Sequence, residues 1–541
     1  MADRVAWNDG FARGGRQRMT RRRLLQGTAA ALLVSPAQGL GLALPALARG
    51  RRLSRVRPTD PEWPSEAQWN QLGQAVGGRL VRLRSPLDAC VADPAGDRCV
   101  AVLARLRNPY YLGDDPALAQ SLGWVDAWTF RPSVHAVVAE TAADVAAAVN
   151  FARERNLRLV VKGGGHSYHG TSNAPDSLLV WTRRMNAVSL HDGFVPRGCT
   201  DSPQPAVSVG AGALWGEVYR KVAVEAGRYV QGGGCLTVGV AGLVQSGGFG
   251  SFSRAFGTAA ANLLEAEIVT ADGAVRIANA CSEPELFWAL KGGGGGSFGV
   301  VTRLTLRTHP LPATFGAAFL TVRATSDEAC RRLIGMVLDF YAERLHGPVW
   351  GEQIRVRPDN ALAVEMVFQG LEQAGAEAAW RPFLAAITAA PHDFALEGDP
   401  LIAALPARSF WDPAVLRQLP GIVEADDRPG APPENVYWAG NREEAGRVWH
   451  GYRSAWLPAA LLAPEGRARL ADALFAASRH WPVALHLNKG LAGAPAGVIA
   501  AARETAMNPA ALDAFALAIA GAGGPPAWPG IAVHEPDVTR A

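Results

Sequence analysis

From Arg131 onward, short apolar runs alternate with segments of helical period. Val134–Ala139 reads as a strand and Thr141–Arg155 as an alanine-rich helix. Leu157–Val161 is strand-like again. Leu178–Trp181, Ala206–Val209 and Ala266–Thr270 repeat the pattern, the last ending in the turn signal Ala271-Asp272-Gly273. Past His309-Pro310-Leu311-Pro312 the character shifts. Ala317–Val322 and Leu362–Phe368 alternate apolar and polar positions, whereas Glu328–Tyr341 and Gln373–Ile387 have helical spacing. Ala67–Leu80, upstream, is helical in pattern. Near the C-terminus, Val483–Gly490 reads as a strand and Glu504–Phe515 as a helix. Together with a length of 541 residues, this predicts an α+β protein of more than one domain.

Three glycine-rich segments interrupt the pattern. The first, Lys162-Gly-Gly-Gly-His166-Ser-Tyr168-His-Gly170, directly follows the strand Leu157–Val161. Such a turn lets backbone N–H groups converge, which suits a diphosphate, and presents His166 to whatever lies above it. The second spans Gly232 to Gly250 and contains Cys235-Leu236-Thr237-Val238-Gly239. The third, Lys291-Gly292 to Gly299, precedes an apolar run from Val300 to Leu306. Three segments from distant parts of the chain can enclose one long cofactor. A nicotinamide site fits poorly, because Gly210-Ala-Gly212-Ala-Leu-Trp-Gly216 has the spacing GxGxxxG with no acidic residue clearly placed about 20 positions later. Lys291–Gly296 lacks the closing Gly-Lys-Ser/Thr of a P-loop.

With these motifs in this order, residues 130–310 resemble the vanillyl-alcohol-oxidase-type (PCMH-type) FAD-binding domain, and most closely the berberine-bridge-enzyme-like oxidases. The resemblance implies a two-part FAD-binding domain plus a substrate domain whose antiparallel sheet is covered by helices. The domain order it implies is an N-terminal extension (49–130) packing on the FAD domain, the FAD domain itself (131–310) and a substrate domain (311–482). A C-terminal segment (483–541) then returns to the FAD domain. The implied cofactor is FAD, bonded through His166 to the flavin 8α-methyl group, with a second bond from Cys235 to C6 left open. Gly163, Gly164, Gly165, Ser167, Thr237, Val238, Gly239, Gly242, Ser246, Gly247, Gly248, Gly250 and Asn488 stand at the remaining implied cofactor-binding positions. The chain departs from the family in three places. Ala241-Gly242-Leu243 stands where members often carry Gly-Gly-His. Leu236 replaces a proline. Of the Tyr-x-Asn-Tyr-x-Asp pattern only Asn488 remains.

The implied chemistry is hydride transfer from a substrate C–H (alcohol, sugar, amine or polyketide-like) to flavin N5, while a base takes the accompanying proton. Oxygen then reoxidises the flavin, giving hydrogen peroxide. Tyr168 is the expected base, with Glu352, Gln353 and Tyr437 as other candidates. A dehydrogenase using a quinone or cytochrome, or a non-catalytic flavin carrier, are the alternatives. Trp350, Trp411, Trp438, Trp449 and Trp456 enrich the second domain in rings, for its core or for stacking on substrate.

Thr20-Arg21-Arg22-Arg23-Leu24-Leu25 precedes a mildly apolar stretch, and Ala46-Leu47-Ala48 suits cleavage. This looks like a twin-arginine export signal spanning residues 1–48, and it implies the twin-arginine machinery as a partner and a periplasmic or extracellular location. Pro36, Gly39, Gly41 and Pro45 break the stretch, so a stable membrane span is not expected. Removing it takes the formal charge from +4 to −1, so the basic balance does not point to nucleic acid. Of six cysteines, Cys90 and Cys99 would close a short loop, and no cluster has metal-ligand spacing. Only four of 53 basic side chains are lysines, and Lys162, Lys291 and Lys489 stand at glycine-rich motifs, where a compact ammonium could serve the cofactor.

Overall fold

The computed structural model describes residues 54–525, so the expected export signal lies outside the described residues. Among the described residues three large sheets and one two-stranded ribbon are formed. In the first, His135–Val138, Ser177–Trp181 and Arg158–Lys162 run parallel, and Leu80–Arg82 adds an antiparallel edge. The crossover is the helix Ala142–Glu154. It starts at a capping box in which Thr141 accepts from the Asp144 amide while the Asp144 carboxylate accepts from the Thr141 amide. Its buried face, including Val145, Ala148, Val149 and Ala152, joins a core with Trp69, Val137 and Leu178. The helical period that extends to Leu80 ends at Ala75, because Gly77 and Gly78 adopt positive φ and turn the chain into the edge strand.

The second sheet has six antiparallel strands, and its long member Val300–Pro310 carries Leu263–Val269 on one side and Gln204–Gly210 on the other. The third has ten strands and dominates the second half of the chain. Thr314–Ala324, Ala361–Gln369, Trp350–Val356, Val483–His486, Ala514–Gly524 and Arg447–Pro458 lie side by side. The helices Asp327–Phe340, Gln373–Thr388 and Pro464–Ser478 share one core with it, built around Leu333, Val337, Trp380, Phe383, Leu474 and Phe475. None of the described helices is long and apolar enough to cross a membrane.

The ends of the chain do more than the pattern predicted. From the N-terminal extension, Ser121–Trp124 pairs in parallel with the start of Arg447–Pro458 and so enters the ten-stranded sheet. The helix expected over 504–515 is absent. A short helix at Ala510–Asp513 gives way to the strand Ala514–Gly524, whose small alternating side chains suit a strand flanked on both sides. The C-terminal segment therefore supplies two strands to the large sheet, while the Ala506 amide donates to the carbonyl of Lys291 in the third glycine-rich segment. The fully buried Arg254 also ties the two halves together, donating to the carbonyls of Leu487 (2.8 Å) and Phe515 (2.9 Å).

Cys90–Cys99 and Cys199–Cys281 form disulfides; Cys235 and Cys330 are free thiols. Lys162 is buried, and its Nζ donates to the carbonyls of Asp115, Pro116 and Leu118 at 2.9, 2.8 and 2.7 Å. That ammonium pins the N-terminal extension over the first glycine turn.

Candidate functional site

The first two glycine-rich segments meet backbone to backbone. A Cβ on Gly164 would sit 2.8 Å from the Gly239 nitrogen and 3.1 Å from the Thr237 carbonyl oxygen, so only glycine permits this approach. His166 and Thr237 face each other across the junction, with Nε2 and Oγ1 3.3 Å apart. Gly165 has φ +77°, which turns the chain so that the histidine follows. The second segment enters the helix Val240–Gln245 at Gly239. The backbone N–H of Gly294, in the third segment, donates to the carbonyl of Gln245. All three segments thus form one continuous floor.

Not every expected position faces that floor in the same way. Gly242 and Ser246 lie exposed on one face of the helix region, and a Cβ at Gly242 would meet nothing within 4 Å. Gly247 and Gly248 adopt positive φ and close a turn against Met507 and Ala259, while Gly250 packs on the Gly232 carbonyl. Ser167 bonds Thr171 Oγ1 (2.7 Å) within its own turn, and the Val238 amide bonds the Cys235 carbonyl. Beyond the carboxyl ends of the parallel strands opens a cavity of about 480 Å³ lined by Asp114, Glu140, Trp181, Arg183, Arg184 and Asn186.

The second half of the chain supplies the roof. The helix Ala439–Glu444 and the residue before it place three side chains at a spacing of three, one above another on a helix face. Trp438 Nε1 donates to the Gly234 carbonyl (2.8 Å) and Asn441 Nδ2 donates to Cys235 Sγ (3.1 Å). Glu444 Oε2 accepts from the Tyr168 hydroxyl (3.4 Å). The Tyr168 ring lies 4.7 Å from Trp449, and its carbonyl accepts from Trp128 Nε1. From the adjacent sheet comes Glu352, which adopts a left-handed φ of +69°, uncommon for a residue with a side chain. Its Oε1 accepts from Ser251 Oγ and from Asn488 Nδ2 (3.3 Å). The site therefore holds Tyr168, Cys235, Glu352 and Asn488. Gln353 lies on the same sheet bonded to Glu365, and Tyr437 bonds Glu424 outside the cluster.

Burial sets the electrostatics. It pushes His166 down to about 4, so the imidazole is neutral at neutral pH and keeps a lone pair on its ring. It pushes the Cys235 thiol up to about 12, with Glu444 adding to the rise while the Asn441 hydrogen bond opposes it. Tyr168 lies well above the usual phenol range through burial and the nearby Glu444. Glu444 and Glu352 are both raised by burial, with Arg447 opposing at the first and the Ser251 hydrogen bond at the second. Lys489 is lowered by burial, and His486 is pushed down to about 3 by burial, Lys489 and Arg355. The result is a cleft with a neutral imidazole, a thiol and two carboxyls more basic than usual.

Sequence reasoning did not find Asn441 or Glu444. Nothing in Ala439-Gly-Asn-Arg-Glu-Glu444 distinguishes it from a solvated surface helix until Trp438 is seen to reach Gly234.

Residues 134–279 match the family described as FAD binding domain. The chain is similar to the FAD-linked oxidoreductase easE of Arthroderma otae, 36% identical over 340 residues, covering 58% of this chain and 55% of that protein. The FAD-linked oxidoreductase malF of Malbranchea aurantiaca is 38% identical over 290 residues, covering 49% of each. The chain thus spans about half the length of these curated relatives. The VAO-type flavoprotein MtVAO615 of Myceliophthora thermophila superposes with a TM-score of 0.71 at 24% identity, covering 88% of this chain and 85% of that one. The glucooligosaccharide oxidase of Acremonium strictum gives 0.56 at 19% identity over 82% of each chain. That protein is described as carrying a 6-S-cysteinyl, 8α-N1-histidyl FAD. The fold is that of a VAO-type flavoprotein, mixed α+β as the residue pattern predicted.

The residues present fit such a cofactor. The open face at Gly242 leaves room beside the floor for an extended ligand, and the buried Oδ1 atoms of Asn441 and Asn488 and Oε1 of Gln245 have no partner among the described residues.

Proposed function

We propose that this chain is an exported FAD-dependent oxidoreductase that holds FAD covalently through His166 and also through Cys235. In this reading it oxidises a substrate C–H that carries a hydroxyl or amine and delivers the electrons to oxygen, giving hydrogen peroxide. The observation that carries the reading is the meeting of Tyr168 with Glu444, and of Cys235 with Asn441, where the first two glycine-rich segments join. The relatives named as FAD-linked oxidoreductases support the reaction class. The arginine-rich start supports export in the folded, cofactor-loaded state.

FAD, when bound, supplies a two-electron acceptor for hydride. His166, Thr237, Gly164, Gly239 and the exposed face at Gly242 and Ser246 would hold it, with Asn488 reaching in from the opposite wall. The protein's own task is the proton. Glu444, raised by burial, is a better base than a solvated carboxylate, and Tyr168 is held too high to ionise. Tyr168 therefore relays: its oxygen takes the substrate hydroxyl proton as its own proton passes to Glu444. Trp449 backs the Tyr168 ring, and Trp456 with Phe249 (5.9 Å) offers an apolar wall to the rest of the substrate.

Acid precipitation of the purified protein tests the reading. Yellow colour stays in the pellet of the wild type and of each single variant, His166→Ala and Cys235→Ala, and leaves it only in the double variant. A colourless pellet with no flavin in the supernatant refutes it. Peroxide released on turnover with candidate alcohols checks the acceptor.

A further inference from the structure

Cys235 is poorly suited to react unaided. Its thiol is half-buried, Glu444 lies nearby, and desolvation together with that carboxylate holds it in the protonated form. One neutral donor offsets this. Asn441 Nδ2 stands 3.1 Å from Sγ, and Asn441 itself is 8% exposed, so this contact is part-buried. The other end of the amide, Oδ1, is buried without a partner among the described residues and is available to a donor on a bound ligand. The amide is held in place from its own segment: Trp438 is fastened to the Gly234 carbonyl, the residue before the cysteine, and Glu444 to Tyr168. The amide and the thiol come from different halves of the chain, 206 residues apart in sequence.

We propose that Asn441 is the positioning residue for Cys235, orienting Sγ and stabilising its thiolate so that the second covalent bond to the cofactor can form. The inference rests on the covalent-FAD reading above. In the overall step the Sγ–H bond and one ring C–H bond break and an Sγ–C bond forms. The two protons and two electrons released pass to molecular oxygen, giving hydrogen peroxide. The cysteinyl bond requires the second half of the chain to be docked on the second glycine-rich segment; the histidyl bond, made by His166 beside Thr237, does not need Asn441.

The test is peptide mass spectrometry on the full-length protein purified with its cofactor, after alkylation of free thiols with iodoacetamide. In the wild type, flavin mass joins the His166 and Cys235 peptides. In Asn441→Ala and Asn441→Asp, flavin is expected on the His166 peptide alone, with Cys235 alkylated and the doubly linked fraction down about tenfold or more. Flavin content per chain and the melting temperature, read beside it, separate this outcome from misfolding. The near-isosteric Asp variant keeps the shape and removes the donor. If the variants retain the double link, Asn441 has no such role although the covalent reading stands. If the wild-type Cys235 peptide carries no flavin, the inference fails together with the second link. Loss of both links from folded Asn441 variants also overturns it, because the histidyl bond should survive.

Discussion

Substituting Gly164 with alanine tests how tightly the two motifs must meet. The new methyl carbon would lie 2.8 Å from the Gly239 nitrogen and 3.1 Å from the Thr237 oxygen, where ordinary contacts begin near 3.4 Å. Both neighbours are backbone, so neither can swing aside as a side chain would. Overpacking of this kind costs about 1–3 kcal/mol. The two segments must separate by several tenths of an ångström, and the strain falls on the floor that would hold FAD. At about 1.4 kcal/mol per tenfold, FAD affinity should weaken by roughly 5- to 150-fold. The assay is titration with FAD, followed by flavin fluorescence quenching, in a His166→Ala/Cys235→Ala background where binding is reversible. Gly335→Ala is the control. It lies inside the helix Asp327–Phe340, its Cβ would meet nothing within 4 Å, and it should raise stability by up to about 1 kcal/mol without touching affinity. Equal FAD affinity for Gly164→Ala and its parent would refute the claim that the backbone junction shapes the cofactor floor.

Other outcomes follow from the same geometry. Glu444→Gln should lower kcat by about 10²–10⁴-fold. Burial raises Glu444, so its basic form is lost as pH falls through a value above the usual carboxylate range; the wild-type rate should drop on that acid limb and the Gln variant should lack it. A limb that persists in the variant would assign the base elsewhere. Lys162→Met leaves the carbonyls of Asp115, Pro116 and Leu118 without their donor, and should cost about 2–4 kcal/mol in chemical denaturation. An unchanged midpoint would mean that water replaces the ammonium. Cys199→Ser with Cys281→Ser opens a link across 82 residues and should cost about 4 kcal/mol, read as a lower melting temperature that reductant lowers less than it does the wild type, because only Cys90–Cys99 remains to be reduced.

The glycine-rich floor was legible because its requirement is local. A strand end followed by Gly163-Gly-Gly165 and a histidine needs only its neighbours to form a turn, and alternation located strands such as Thr314–Ala324 and Ala361–Gln369 without knowledge of their partners. Cys90 and Cys99 sit close enough in sequence for their pairing to be read directly. The helix expected over 504–515, where alanine favours helices locally, gives way at Ala514 to the strand Ala514–Gly524. Pairing with Arg447–Pro458 and Val483–His486 outweighs that preference.

What the sequence by itself determined about this protein is therefore the floor: glycine where backbones touch, His166 and Cys235 on it, and an α+β frame around it. The roof was decided by tertiary structure alone. Asn441 and Glu444 belong to a short polar helix whose composition is that of an exposed surface. They acquire chemistry only because Trp438 docks on Gly234 and the large sheet carries that helix across the cleft. The altered proton affinities of Cys235 and Glu444 come from burial between two halves of the chain, a long-range property that no local run of residues encodes.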